Sequence, residues 1–340
     1  MKRATTIVAV VTALALAMSA CGKSDDNKAA TTTTNGKAPT KVNVQAGVND
    51  PKDRNIAVLA FLPASVTVKA GSSIEWKVPG PEPHSITFLP TGQTPPPPSD
   101  PANAALRAKS TTGAYDGSQT FSSELIPQGP DPATYSVSFP KEGTFTYQCL
   151  IHPGMTGTVK VVADDASAEQ QSAINKRAIT EEQQWLAEGR AAKKKLTDTP
   201  LQKTANADGS TTWTIEMGVD TQHTSVLAFQ PASADIKAGD KVTFINNSAA
   251  PHTASFKGSG TLPQNPESTE AQTPSPGPSP QTLTATGTFN SGLLPPNVPP
   301  GSGPPAAARS FTFNVPAAGE YSYICIFHSP SGMGGTIKAS

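Results

Sequence analysis

The sequence predicts an all-β chain made of two tandem Greek-key β-sandwiches joined by an α-helical linker. Three observations predict it: a long internal repeat, apolar-polar alternation within each copy, and a proline-free stretch of helix formers between the copies. At 340 residues the chain has room for two domains plus accessory segments, each able to bury a core.

The elements follow in order. Residues 1–20 show a basic start at Lys2 and Arg3, an apolar run from Ile7 to Met18, and the small pair Ser19 and Ala20. This is the form of an export signal, and its apolar run is shorter than the ~20 residues that a membrane span needs. Met18-Ser19-Ala20-Cys21 resembles a bacterial lipobox, which implies cleavage before Cys21 and lipidation of its thiol. An ordinary cleaved signal with an incidental Cys21 is the alternative. Residues 21–40, rich in Asp, Asn, Lys and Thr, read as a flexible tether. The expected mature protein is therefore exported, tied to a membrane by its lipid and facing the periplasm or the extracellular side.

The repeat spans the first and second domains, 41–163 and 205–340. Val58-Leu59-Ala60-Phe61 and Lys69-Ala70-Gly71 recur 168 residues on as Val226-Leu227-Ala228-Phe229 and Lys237-Ala238-Gly239. Phe121-Ser122-Ser123 lands likewise on Phe289-Asn290-Ser291. Inside the copies, Val66, Val68, Ile74, Trp76 and Val78, and again Ile236, Val242 and Phe244, alternate as half-buried strands do. Tyr135, Val137 and Phe139, then Phe145, Tyr147 and Cys149, share one face, as do Phe311, Phe313 and Val315, then Tyr321, Tyr323 and Cys325. Two antiparallel sandwiches are expected. Each copy carries a proline-rich insertion, Pro95 to Pro98 in one and Pro274 to Pro280 in the other, which cannot be a central strand.

Between the copies, 164–204 is the linker, helical from Asp164 to about Leu196. Ser167 with Gln170, and Thr180 with Gln183, fit the capping-box spacing, so a break near Thr180 is one expectation. The Lys193-Lys194-Lys195 run reads as a solvated helix terminus.

Charge is balanced at 26 basic and 26 acidic side chains, which leaves no electrostatic footprint for nucleic acid. The chemistry lies in Cys, His and Met. Cys149 is followed by His152 and Met155, with His84 upstream; Cys325 is followed by His328 and Met333, with His252 upstream. Two imidazoles, a thiolate and a weak thioether are the ligand set of a blue-copper centre. Each Cys ends a strand, the next loop supplies His and Met, and glycine in Met155-Thr156-Gly157 and Met333-Gly334-Gly335 is expected to turn the chain tightly beside the metal. A disulfide between Cys149 and Cys325, or zinc, would satisfy fewer of these residues. His223, the counterpart of Asn55, is expected to be exposed.

Here the resemblance to cupredoxins becomes specific. Cys149-x2-His152-x2-Met155 has an amicyanin-like spacing and Cys325-x2-His328-x4-Met333 a plastocyanin-like one, and Gly143-Thr-Phe-Thr-Tyr147 and Gly319-Glu-Tyr-Ser-Tyr323 look like the same family. The resemblance implies a non-enzymatic electron carrier with two type 1 coppers per chain, working with redox proteins of a respiratory or other electron-transfer chain. The alternative function is storage or delivery of copper outside the cytoplasm. Copper oxidases and nitrite reductases of this fold need further histidines, whereas here only His223 is left over. The unequal loops, three positions from His152 to Met155 and five from His328 to Met333, imply two inequivalent centres.

Overall fold

Alternation of buried and exposed side chains sets the strands of both copies, and the computed structural model places them in two sandwiches with 16 % helix between and around them. It describes residues 41–96, 101–108, 111–126, 133–277, 280–297 and 304–340. The signal, the tether and Cys21 lie outside the described residues, as do Pro97, Pro98 and Pro278 of the insertions.

In the first copy one layer contains strands Lys41–Asp50, Ser72–Val78 and Ala133–Phe139; the other contains Ser65–Lys69, Thr156–Val162, Gly143–Gln148, Thr87–Phe88 and Phe121–Ser122. Val66, Val68, Ile74, Trp76, Val78, Val137 and Phe139 all point into the core between them. Trp76, Phe88 and Tyr147 meet at its centre, with ring centroids 5.0 Å apart for Trp76 and Tyr147. The second copy repeats this with Phe244, Phe256 and Tyr323. The sandwiches are mixed, not purely antiparallel. Val42 pairs in parallel with Ile74, Val159 with Val66, Trp213 with Val242 and Ile337 with Ala234. Parallel pairs arise because the chain leaves one layer after a hairpin and returns beside a strand running the same way.

The two sandwiches also share a sheet, which the repeat alone did not predict. Strand Asp53–Leu62 of the first copy pairs antiparallel with Thr224–Gln230 of the second, so that one sheet runs through both, ten strands in continuous order and an eleventh, Gln202–Ala205, paired to its side. In this register Ala57 faces Ser225, its own counterpart 168 residues on, while Ile56 faces Val226 and Val58 faces Thr224. Pairing of equivalent residues is the signature of a two-fold relation, here a pseudo-two-fold passing between Ala57 and Ser225.

The helix between the copies lies on this seam. It runs unbroken from Gln171 to Asp198, with Gln170, not Ser167, as the residue before its first turn. No break occurs at Thr180, whose hydroxyl donates back to the Lys176 carbonyl at 2.9 Å. Trp185, Leu186 and Ile56 are buried together, and Gly189 packs so closely that a Cβ there would stand 2.5 Å from Thr224 and 2.6 Å from Ile56. Arg190 pairs with buried Asp50 and Lys193 with Asp53, each at 2.6 Å. Lys193 is therefore an anchor to the first sandwich and not part of a solvated terminus. The insertions meet as well: Arg107 of the first pairs with Glu267 of the second at 2.7 Å.

Candidate metal centres

Each Cys is delivered by a strand whose preceding residues fill the core. Tyr147 and Tyr323 point inward two positions earlier, so Cys149 and Cys325 emerge on the same face at the end of the sandwich. A backbone hydrogen bond then closes the loop: Cys149 N donates to Met155 O at 3.0 Å, and Cys325 N to Met333 O at 3.1 Å. His152 and His328 lie inside these closed loops. The first histidines arrive from the far side, each held by an isolated β-bridge, His84 to Ile126 and His252 to Leu294.

The histidines and cysteines expected to act together do converge, in two buried groups: His84, Cys149 and His152, and His252, Cys325 and His328. Within each group the candidate ligand atoms lie within 4.8 Å of one another. In the first, His152 Nδ1 stands 3.5 Å from Cys149 Sγ and 3.1 Å from His84 Nδ1. In the second, Cys325 Sγ is 3.5 Å from His328 Nδ1 and 3.7 Å from His252 Nδ1, and the two Nδ1 atoms are 3.0 Å apart. Met155 and Met333 are buried at 2 % and 0 % exposure on the same loops. Among the described residues these are the two groups of three or more His, Cys, Asp or Glu able to share an ion. Cys149 and Cys325 are free thiols, not a disulfide. His223 belongs to neither group; it is half-buried and stacks on Trp185 at 4.3 Å, because the seam brings the helix over it.

Burial governs protonation here. It pushes the Cys325 thiol up to about 11 and raises the Cys149 thiol, against hydrogen bonds from the neighbouring backbone. It holds His152 down at about 4 and His252 at about 3. His84 and His328 also fall well below the ordinary imidazole value, through burial first and their histidine neighbours second. Two neutral imidazoles beside a thiol that ionises on binding suit a soft or borderline cation, and buried walls keep water from it.

Several residues that the motifs did not reveal complete the sites. Ser85 and Thr253 each follow a first histidine. Their backbone N–H groups point at Cys149 and Cys325 Sγ at 3.4 Å, and their hydroxyls accept the N–H of Leu150 and Ile326. A Ser or Thr after both histidines was the available signal. Gly47 and Gly218 form β-bulges beneath the first histidines, at φ +67° and +76°; a Cβ would strike the His84 ring at 2.1 Å at the first and only approach the His252 ring at 3.0 Å at the second. Gly157 and Gly335 do not serve a tight turn: they oppose Tyr147 and Tyr323, whose rings a Cβ would strike at 2.3 and 2.6 Å. Asn103 of the first insertion donates to the carbonyls of Pro96 and Leu150, tying that insertion to the residue after Cys149.

The outer nitrogens differ between the centres. Ser248 Oγ lies 2.8 Å from His252 Nε2; when its hydrogen goes to Asn246 Oδ1 or the Ala250 carbonyl, it accepts from Nε2–H, the tautomer that leaves Nδ1 for a metal. The counterpart of Ser248 is Gly80. Glu82 reaches the second centre from the first sandwich, with its carboxylate 3.7 Å from His328 Nε2. Burial raises Glu82 to about 7, against a hydrogen bond from Ser331.

The family model for copper binding proteins of the plastocyanin/azurin family matches residues 49–162 and 215–294. The first match spans His84 through Met155, and the second includes His252. A plastocyanin of Scenedesmus fuscus is 31 % identical over 124 residues, 36 % of this chain and 95 % of that protein. Among solved structures, amicyanin of Paracoccus versutus is 22 % identical with a TM-score of 0.24, over 36 % of this chain and 81 % of that one. A Cu(I) amicyanin variant is 18 % identical with the same TM-score, over 37 % and 85 %. With more than half of its length matched in two segments, one per sandwich, the chain belongs to the copper-binding plastocyanin/azurin family.

Proposed function

We propose that this protein transfers single electrons through one type 1 copper in each sandwich. The observation that carries the reading is the recurrence of one buried arrangement, two imidazole Nδ1 atoms and a thiol on loops that also hold a buried Met. Copper bound there supplies a one-electron couple; thiolate and thioether suit its reduced state and imidazole its oxidised state. The chain's own residues do the rest. The Cys-to-Met hydrogen bonds close the ligand loops, the sulfurs face backbone N–H groups that stabilise the thiolate, and the core beneath resists rearrangement between oxidation states. The carrier reading is supported by the histidine count, which leaves only His223 outside the two groups.

The reading extends to partners and place. Redox proteins of an electron-transfer chain outside the cytoplasm are the expected partners, with attachment to the membrane through Cys21. Among the described residues no helix is long and apolar enough to cross a membrane. The test uses the copper-loaded chain. Cys149→Ser and Cys325→Ser should each remove about half of the thiolate-to-copper absorption, and the double variant all of it. Reversible reduction and oxidation with copper retained supports electron transfer. Full colour in either single variant overturns the two-centre reading, and quantitative loss of copper to a chelator on each reduction overturns the carrier in favour of copper delivery.

A further inference from the structure

The two copies are related by a pseudo-two-fold at Ala57 and Ser225, yet their centres are not surrounded alike. In the second, His328 presents Nδ1 to Cys325 and His252, so Nε2 is its outer nitrogen. Glu82 Oε2 stands 3.7 Å from that nitrogen, and both side chains are nearly sealed from solvent, at 6 % and 4 % exposure. The gap is about 0.7 Å beyond an ordinary N–H···O bond, within reach of a small side-chain rotation.

The longer ligand loop of the second copy makes this approach stable. Ser331, in the short turn Ser329–Ser331 between His328 and Met333, donates its hydroxyl to Glu82 Oε1 and accepts from the Asn55 amide at its carbonyl, 2.9 Å away. The Asn49 amide also faces the Ser331 hydroxyl at 3.5 Å. Three residues of the first sandwich thus clamp the loop that carries two ligands of the second. The shorter loop from His152 to Met155 has no room for such a turn, and the counterpart of Glu82 is Ala250.

We propose that Glu82 is a positioning residue of the second centre, supplied across the domain boundary. It accepts the Nε2–H of His328, which fixes the ring and the tautomer that leaves Nδ1 for the metal. The proposal rests on reading both groups as copper centres. A metal-bound imidazole with a carboxylate on its outer nitrogen is a stronger donor than one without. With Ser248 on His252, both imidazoles of the second centre have a polar partner at Nε2, while the positions that match them for the first centre carry Gly80, in the first copy, and Ala250, in the second. Stronger donation favours Cu(II) over Cu(I), so the second centre has the lower potential and the first is the one that fills with an electron first.

The experiment is Glu82→Gln in the full chain, with Cys149→Ser present to observe the second centre alone and Cys325→Ser to observe the first. The amide keeps the volume of the acid and loses its charge. Copper affinity of the second centre should fall by about 10-fold or more. A tenfold loss borne by Cu(II) alone raises the potential by about 59 mV. In the diamagnetic Cu(I) protein the Nε2–H resonance of His328 should move upfield and exchange faster, a change that a purely structural role would not produce. The first centre should keep its affinity and potential. An unchanged second centre, or equal changes in both, overturns the proposal. A missing blue band with Glu82 intact overturns the copper reading beneath it, and the two failures are distinguishable.

Discussion

Gly47 is the sharpest place to test how the backbone builds these centres. A methyl at this position would lie 2.1 Å from His84 Nε2 and 3.0 Å from two further atoms of the ring. At Gly218 the corresponding distance to His252 Nε2 is 3.0 Å. Both backbones are left-handed, so alanine costs about 1–2 kcal/mol at either position from φ alone. Relief of the clash at Gly47 adds roughly 1–3 kcal/mol of overpacking, because the group that must move is a buried ring wedged against Cys149 and His152. Gly47→Ala should therefore destabilise the metal-free protein by about 2–5 kcal/mol, against about 1–2 kcal/mol for Gly218→Ala. A displaced His84 no longer presents Nδ1, so Gly47→Ala should also lose the blue band of the first centre while Gly218→Ala keeps both. Urea unfolding of the metal-free variants and titration with Cu(II) followed by absorption measure the two effects. Equal stabilities together with full colour in Gly47→Ala would show that the bulge does not set the ligand position.

Three further outcomes follow from the same structure. In an exposed helix interior, glycine to alanine stabilises by about 1 kcal/mol. Gly189→Ala should do the reverse, since its methyl would strike both Ile56 and Thr224; a higher midpoint in thermal unfolding would refute the close approach at the seam. The Arg190 guanidinium holds the Asp50 carboxyl below its usual value, so the ion pair stabilises the fold above the unfolded pKa of ~3.9, and that contribution is lost as pH falls through the folded value. Asp50→Asn should accordingly be less stable than wild type near neutral pH, with the gap closing in acid; a pH-independent gap would exclude the charge as its cause. Finally, the full-length protein should partition with membranes and Cys21→Ser should free it or block its processing, whereas a soluble, unmodified wild type would refute the anchor.

Both buried His and Cys groups were legible because their signals are local and doubled. Cys149-x2-His152 and Cys325-x2-His328 close their loops within a few residues, and the repeat turned two weak motifs into one strong one. Core positions such as Trp76 and Phe244 followed from the two-residue period of a strand, which burial on one face imposes wherever the strand ends up. The sheet that fuses the sandwiches left no such mark. Ladder bonds between Asp53–Leu62 and Thr224–Gln230 are made by backbone groups common to nearly all residues, so side chains such as Ala57 and Ser225 do not announce whom they face. Reasons for particular glycines were also hidden, since Gly157 opposes Tyr147 only once the register is known.

Fold class, repeat and the spacing of the candidate donors could be read along the chain, because each depends on order and period alone. Long-range pairing instead makes the helix a strut across a continuous sheet and Lys193 an anchor, and brings Glu82, two residues from His84 of one candidate centre, beside His328 of the other. A carboxylate acts over a few ångströms of space, and the distance between residues 82 and 328 is set by the pairing of two strands that no sequence period encodes.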